Sequence, residues 1–279
     1  MSGSDHGDLP PPHSRLKSTI TYLRHAAPVA GAFIALLAIW QVVTVLAGIP
    51  DYVLPSPTQI LRAIGDEWQQ LLLNAAVTFA EATAGFLLSI VVGIPLGVAI
   101  VYSRWLDRVL YPLLVASQSI PKVALAPIFV VWFGFGLLPK VLIAFSIAFF
   151  AIVVNTVVGM KRAPVEMIHL MRSFGATRLQ IFLRVRLPVA APYIFAGIKI
   201  SATFAVVGAI VGEFIAASSG LGYLQLIANN NFQIPLLFGI LVLLSVMGGV
   251  LYGLVVLLEW IVLPPPLRTV PTDEAGATL

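Results

Sequence analysis

The sequence predicts an all-α, polytopic membrane protein with six transmembrane helices and both termini in the cytoplasm. Three observations lead there: a composition too apolar for water, six apolar runs of spanning length, and a one-sided distribution of lysine and arginine. Of 279 residues, 59 % are hydrophobic and 10 % charged, against about 25 % charged in ordinary soluble domains. Residues 1–25 are polar, carry Pro10, Pro11 and Pro12 in a row, and are expected to form a flexible cytoplasmic tail. The apolar run that follows has no small-residue cleavage site, so it is read as a retained helix.

The first span is predicted at 28–47 and the second at 75–102. The third and fourth share 110–160 and part at Phe133-Gly134-Phe135-Gly136-Leu137-Leu138-Pro139, where glycine and proline weaken a continuous helix. The fifth is predicted at 192–217 and the sixth at 235–263, leaving 264–279 as a second cytoplasmic tail. Between the first two spans, Leu54-Pro55-Ser56-Pro57-Thr58 breaks the chain. Residues 59–73 then place Ile60, Leu61, Ile64, Trp68, Leu71 and Leu72 at helical spacing, which suits a helix lying on the outer interface or one packed on the bundle. Glycines four apart, Gly93 with Gly97, Gly208 with Gly212 and Gly249 with Gly253, allow close helix contact.

Charge fixes the orientation. With both ends inside, the cytoplasmic face receives Arg15, Lys17, Arg24, Arg104, Arg108, Lys161, Arg162, Arg172, Arg178, Arg184, Arg186 and Arg268, which is 12 of the 16 basic residues. The outer side receives Arg62 and Lys140, and Lys122 and Lys199 fall in or near spans. The excess of basic residues inside selects this orientation. The formal charge of +4 is thus a matter of loops, and no nucleic-acid partner is expected. Cysteine is absent, which excludes disulfides and every cysteine-based metal, redox or nucleophile motif.

The inner loop at 161–188 carries the most information. Apolar Val165, Met167, Ile168, Leu170, Met171 and Phe174 alternate at helical spacing with polar Glu166, His169, Arg172 and Ser173. Gly175 is placed to terminate that helix, Thr177 to cap a second short one, and Leu187-Pro188 to end it before the fifth span. Such a helix, glycine, helix elbow can transmit a partner's motion to the two spans that hold it, or rest on anionic headgroups through Arg172, Arg178, Arg184 and Arg186.

The elbow resembles the cytoplasmic loop of ABC importer permeases, whose pattern runs Glu-Ala-Ala, three residues, Gly, nine residues, Ile, one residue, Leu-Pro. Gly175, Val185 and Leu187-Pro188 match the later positions, while His169, Leu170 and Met171 replace Glu-Ala-Ala, so the spacing is kept and the acidic charge is lost. Further motifs in order, Leu54-Pro55-Ser56-Pro57, Ile120-Pro121-Lys122, Trp132-Phe133-Gly134-Phe135-Gly136, Leu187-Pro188 to Pro192, and Ser219-Gly220-Leu221-Gly222-Tyr223, look like the branch that transports sulfonates, taurine, nitrate and thiamine precursors. The resemblance implies the fold of a type I importer permease, with a permease domain at 26–263 in a bacterial inner membrane. It implies a second permease copy, forming a homodimer, two cytoplasmic ATP-binding subunits holding the ATP and Mg, and an external substrate-binding protein. It assigns contact with the ATPase to Glu166, His169, Leu170, Met171, Ser173, Phe174, Gly175, Ala176, Leu187 and Pro188. Ala116-Ser117-Gln118 before Pro121-Lys122, with Phe149-Phe150 and Asn155, look most like permeases for pyrimidine thiamine precursors or related heterocycles, with sulfonate, taurine, nitrate and riboflavin-like cargo as the alternatives.

Ionisable groups at membrane depth cost about 2.5–3.5 kcal/mol each on insertion scales. Glu81 and Glu259 read as interface anchors, Lys199 as a residue reaching for the inner interface, and Glu213 as a deeper group able to face a cavity. Pro121 interrupts its helix and lets Lys122 reach water or a polar partner, Glu213 among the choices. Ser117, Gln118, Lys122, Trp132, Asn155 and Glu213 are the candidates for lining a translocation pathway, as is the run Asn229-Asn230-Asn231; bonding to neighbouring helices is the other reading. The chain has no Gly-Lys dipeptide, hence no phosphate-cradling loop for ATP. Its four histidines, three of them before the first span, form no metal or nucleophile-base motif. An ion-driven transporter or channel and a passive membrane scaffold are the rival classes, and neither requires the elbow.

Overall fold

The structure, a computed structural model, describes residues 13–264. Residues 1–12 and 265–279, with part of the predicted N-terminal tail, all but Pro264 of the C-terminal one, and Arg268, lie outside the described residues. Among the described residues the fold is helical throughout. Helix α1 is His13–Leu46, so regular structure begins inside the segment read as a tail. Four helices are long and apolar enough to cross a membrane, or five when one sharply bent pair is taken together; the apolar part of α1, Gly31–Leu46, falls below that length.

Helix α2, Pro57–Asp66, follows the predicted break and starts two residues before the predicted Gln59. The Ser56 side chain accepts from the Gln59 amide, the Gln59 side chain accepts from the Ser56 amide at 2.8 Å, and Pro57 opens the first turn. Ile60 is buried, and a methyl group added to Gly239 would meet Ile64 Cγ1 at 2.8 Å. The helix therefore packs on the bundle, and of the two sequence readings this one holds. It also stops at Asp66: the backbone turns at Glu67, and α3, Trp68–Tyr102, begins seven residues before the predicted start of the second span.

Helices α3, α6 (Leu137–Lys161) and α9 (Leu187–Ala216) form the centre. Lys140, Ala144, Ala148, Ile152 and Thr156 recur every four residues along α6, and all are buried. Small residues on both neighbours admit them: an added methyl at Gly93 would touch Ile152, at Gly97 Thr156, and at Gly208 the Ala144 backbone at 2.5 Å. Ser201 Oγ donates to the Ala148 carbonyl at 2.7 Å, tying α9 to α6. Close approach through small residues and interhelical hydrogen bonding are what hold helices together where solvent supplies no hydrophobic force. The predicted glycine pairs at 93/97 and 208/212 serve this purpose. Gly249 and Gly253 of α11, Ile234–Val262, do not, since nothing in the chain lies within 4 Å of a Cβ built on either.

The third predicted span is not one helix. A π turn at Leu106–Leu110, α4 at Tyr111–Ser117, a 3₁₀ turn at Lys122–Leu125 and α5 at Ala126–Phe133 follow one another, and the two halves meet at 91°. Pro121 lacks an amide donor and disfavours helical backbone at Ile120, which accounts for the corner. Gly134 (φ 75°) and Gly136 (φ 136°) then separate α5 from α6, as the glycine-rich stretch predicted. Helix α10, Leu221–Asn230, was not anticipated, and it takes in Asn229 and Asn230.

Leu187-Pro188 does not end a helix. Helix α7 is Val165–Ser173 and α8 is Arg178–Ile181, and from Arg178 the backbone continues helical to Ile215. A π turn at Phe182–Arg186 makes this feasible: the Leu187 amide donates to the Phe182 carbonyl, five residues back. The wider turn relieves the clash and the missing donor that Pro188 would bring to a regular helix. Leu106–Leu110 before Pro112 repeats the device, with the Tyr111 amide donating to Leu106.

Candidate functional site

The elbow at 161–188 is built by local rules. The Gly175 amide donates to the Arg172 carbonyl and the Ala176 amide to the Met171 carbonyl, both at 2.9 Å, and Gly175 sits at φ 75°. This pair of bonds closes α7 in the Schellman manner, which needs a left-handed residue where they turn. Thr177 Oγ1 then accepts from the Gln180 amide at 3.3 Å while Gln180 Oε1 accepts from the Thr177 amide at 2.8 Å, a complete capping box. Replacing Thr177 with alanine is expected to cost about 0.5–2 kcal/mol locally, read as roughly 2- to 30-fold faster amide exchange at Gln180 and Ile181.

Ala163, Ile168, Ile181 and Val185 are buried together as a small core of the elbow's own, with Met171 and Ala176 against it. The remaining apolar side chains turn outward: Val165, Met167, Leu170, Leu179 and Phe174, the last 80 % exposed. Of the residues assigned to ATPase contact, Glu166, His169, Leu170, Ser173, Phe174 and Gly175 are exposed, whereas Met171, Ala176, Leu187 and Pro188 are half-buried. The elbow is thus internally braced and presents an apolar outer face. The basic residues at this end of the bundle gather near it: Lys161 pairs with Asp107 at 2.5 Å, and the Arg186 guanidinium lies 5.1 Å from the Tyr102 ring centre.

A buried polar cluster occupies the opposite end. Lys140 Nζ donates to Glu81 Oε1 at 2.6 Å, with both side chains almost wholly buried, and among the described residues the second Glu81 oxygen has no hydrogen-bond partner. Next to it, Thr78 Oγ1 donates to Glu213 Oε1 at 2.6 Å, and Glu213 Oε2 accepts from the Gly222 amide. The Leu221 amide donates to Thr78 Oγ1 at 2.8 Å and the Gly220 amide to Asn74 Oδ1 at 2.6 Å. Three side chains from α3 and α9 therefore satisfy the free donors at the start of α10, and the carboxylate faces the positive end of its dipole. The motif Ser219-Gly220-Leu221-Gly222 is explained at once, since Gly220 adopts φ 113° and a methyl at Gly222 would press on Glu213 Cβ at 3.0 Å. A cavity of ≈ 670 Å³ opens beside the ion pair, bounded by Val77, Phe135, Ile215 and Ser218 as well as Glu81 and Lys140.

Several expectations change here. Glu81 is no interface anchor and Lys140 no loop cation; they neutralise each other inside the bundle. Lys122 does not meet Glu213: its ammonium lies 4.0 Å from the Phe150 ring centre, while Glu213 is 1 % exposed and holds α10. Lys199 and Glu259, read separately, pair at 3.0 Å. Ser117 and Asn155 donate within their own helices, to the Leu114 and Ala151 carbonyls. Gln118 is exposed at the corner of the bent pair and Trp132 is 70 % exposed on α5. The residues that the sequence reading missed are Thr78, Asn74 and the Glu81–Lys140 pair; the available signal was two opposite charges near the outer ends of the second and fourth predicted spans.

Residues 85–262 match the family described as binding-protein-dependent transport system inner membrane component. The chain is 39 % identical, over 233 residues, to the formylaminopyrimidine transport permease protein ThiX of Halalkalibacterium halodurans, covering 83 % of this chain and 93 % of that one. It is 40 % identical, over 229 residues, to the riboflavin transport system permease protein RibX of Chloroflexus aurantiacus, covering 80 % and 84 %. Its fold is similar to that of the inward-facing MetNI methionine ABC transporter, with a TM-score of 0.62 over 71 % of this chain and 99 % of that one at 21 % identity.

Proposed function

This chain belongs to the binding-protein-dependent transport system inner membrane components, and from that membership we propose that it is half of a homodimeric translocation unit driven through the elbow by two ATPases. The chain is a multi-pass inner-membrane permease subunit of an ABC importer for a small solute; it is not an enzyme, and ATP is hydrolysed by a partner subunit. The observation that carries the proposal is the braced elbow with its outward apolar face, Val165, Leu170, Phe174 and Leu179. An exposed apolar patch on a rigid support is a docking surface for a protein partner.

In this reading α1 and the bent pair each cross the membrane, giving six crossings in a domain at 26–263 with both ends in the cytoplasm. Residues 1–25 and 264–279 are its tails. ATP and Mg sit in the partner. Glu166, His169, Leu170, Met171, Ser173, Phe174, Gly175 and Ala176 form the dock, and Leu187 and Pro188 join it to α9. The corner at Gln118 and Lys122, with Ser117 on α4, Trp132 on α5 and Asn155 on α6, borders the route, and Glu213 keeps its outer end in shape. The cargo is a planar nitrogen heterocycle of the pyrimidine or flavin kind, the chemistry shared by the two relatives' named solutes. An ion-driven transporter would use buried charges such as Lys122 and Glu213 for coupling, and these two do not meet.

The test is reconstitution with the cognate ATPase and binding protein in proteoliposomes. Phe174→Asp places a charge in the dock and is expected to lower ATP-dependent uptake and stimulated ATPase activity at least tenfold while the chain still inserts. Undiminished, ATP-driven uptake by that variant contradicts the dock. Titrating the binding protein with aminopyrimidines, flavins and sulfonates identifies the cargo, and exclusive sulfonate binding contradicts the heterocycle.

A further inference from the structure

A second cavity, of ≈ 350 Å³, lies between the elbow and the inner end of α3, and Arg104, Arg172, Arg178 and Arg186 all line it, with no carboxylate among the lining residues. The four come from different places: Arg104 just past α3, Arg172 in the last turn of α7, Arg178 in the first turn of α8, and Arg186 in the π turn. Every ion pair that gives a described lysine a partner, Lys140–Glu81, Lys161–Asp107 and Lys199–Glu259, lies elsewhere. None of the four arginines pairs with a carboxylate among the described residues, and the recorded contact of Arg186 is the Tyr102 ring. Arg178 also stands at a helix N-terminus, where a cation opposes the dipole. Four like charges brought together against these preferences call for an anionic ligand.

Depth and size narrow the choice. The apolar stretch of α3 ends at Tyr102, which lines the cleft and is exposed, as is Trp105 three residues on; aromatic rings at the end of a span mark the headgroup level. A volume of ≈ 350 Å³ equals about a dozen water volumes, more than one phosphate fills. Guanidinium groups bind phosphate oxygens in bidentate fashion, and basic clefts between spans on the inner side suit lipid headgroups. We propose that this cleft binds the headgroup of an anionic phospholipid carrying two phosphates, which bridges both elbow helices to the end of α3. The bound headgroup fixes the elbow against α3 and so makes coupling depend on lipid composition. That consequence rests on the elbow being the ATPase dock; the binding itself does not.

The test keeps the two apart. The full chain is placed in phosphatidylcholine nanodiscs containing cardiolipin, the two-phosphate probe, or phosphatidylglycerol at equal phosphate, and retained lipid is counted by native mass spectrometry. Wild type is expected to retain cardiolipin at least fivefold over phosphatidylglycerol. Replacing all four arginines with glutamine is expected to abolish the preference, and Arg108→Gln, on the same face but outside the cleft, to leave it intact. Equal retention of the two lipids by wild type overturns the proposal without reference to any variant, as does an undiminished preference in the four-glutamine chain. Soluble pyrophosphate at millimolar concentration is expected not to displace the lipid; saturable pyrophosphate binding with no lipid preference assigns the cleft to a soluble phosphate instead. That result overturns the lipid site, and loss of the lipid when the ATPase subunits assemble overturns its part in coupling.

Discussion

Gly175→Val is expected to cut ATP-driven uptake by roughly 5- to 150-fold while Gly175→Asn retains most of it. Nothing lies within 4 Å of a Cβ at this position, so space is not the issue; the φ of 75° is. A β-branched residue held in left-handed backbone costs about 1–3 kcal/mol, whereas asparagine adopts that region with little penalty. The valine chain relieves the strain by giving up the bonds from Gly175 and Ala176 to Arg172 and Met171, which frees α7 from α8. A coupling element loosened by 1–3 kcal/mol loses transport by a factor of that size. Uptake in proteoliposomes, normalised to inserted chain, checks it. Equal activity of the valine and asparagine chains would show that the angle between the helices is immaterial to transport.

Removing Lys140 has the largest expected effect on stability. Lys140→Ala leaves Glu81 buried without its counter-ion, and breaking such a pair from one side costs about 3–5 kcal/mol. Replacing both partners with apolar residues of similar size, Glu81→Leu with Lys140→Met, is expected to recover most of that loss. Glu81 Oε2 already lacks a partner, so the pair is incompletely compensated even in the native chain. Thermal unfolding of the two single variants and the double variant in detergent gives the coupling energy directly. If Lys140→Ala unfolds within a degree or two of wild type, the pair carries no structural weight.

The contrast between these two sites shows what the sequence could and could not disclose. Gly175 and Thr177 were legible because termination and capping depend on residues within four positions; the capping box of Ser56 with Gln59 is equally local but was read only as a chain break. Pro188 misled because a proline was read as a stop, while the five-residue turn before it absorbs the missing donor. The corner at Pro121 was legible as an interruption but not as a 91° bend, since its angle is set by what each half packs against. Glu81 and Lys140 are 59 positions apart, and Thr78 and Glu213 are 135; partnerships of that range leave no periodicity to read. The glycine spacing at 249 and 253 matched a contact motif without the contact, because spacing describes one helix and packing requires two.

The unbroken helical path from Arg178 to Ile215 joins the two ends of the molecule by one rigid lever. At about 1.5 Å per residue, the elbow and the carboxylate of Glu213 are separated by about 50 Å along it. A swing of about 5° at the inner end therefore carries the outer end through about 4 Å. That travel exceeds the reach of the hydrogen bonds by which Glu213 and Thr78 hold the first turn of α10, so under the coupling proposed above a small stroke at the elbow is enough to unlatch the far end of the bundle.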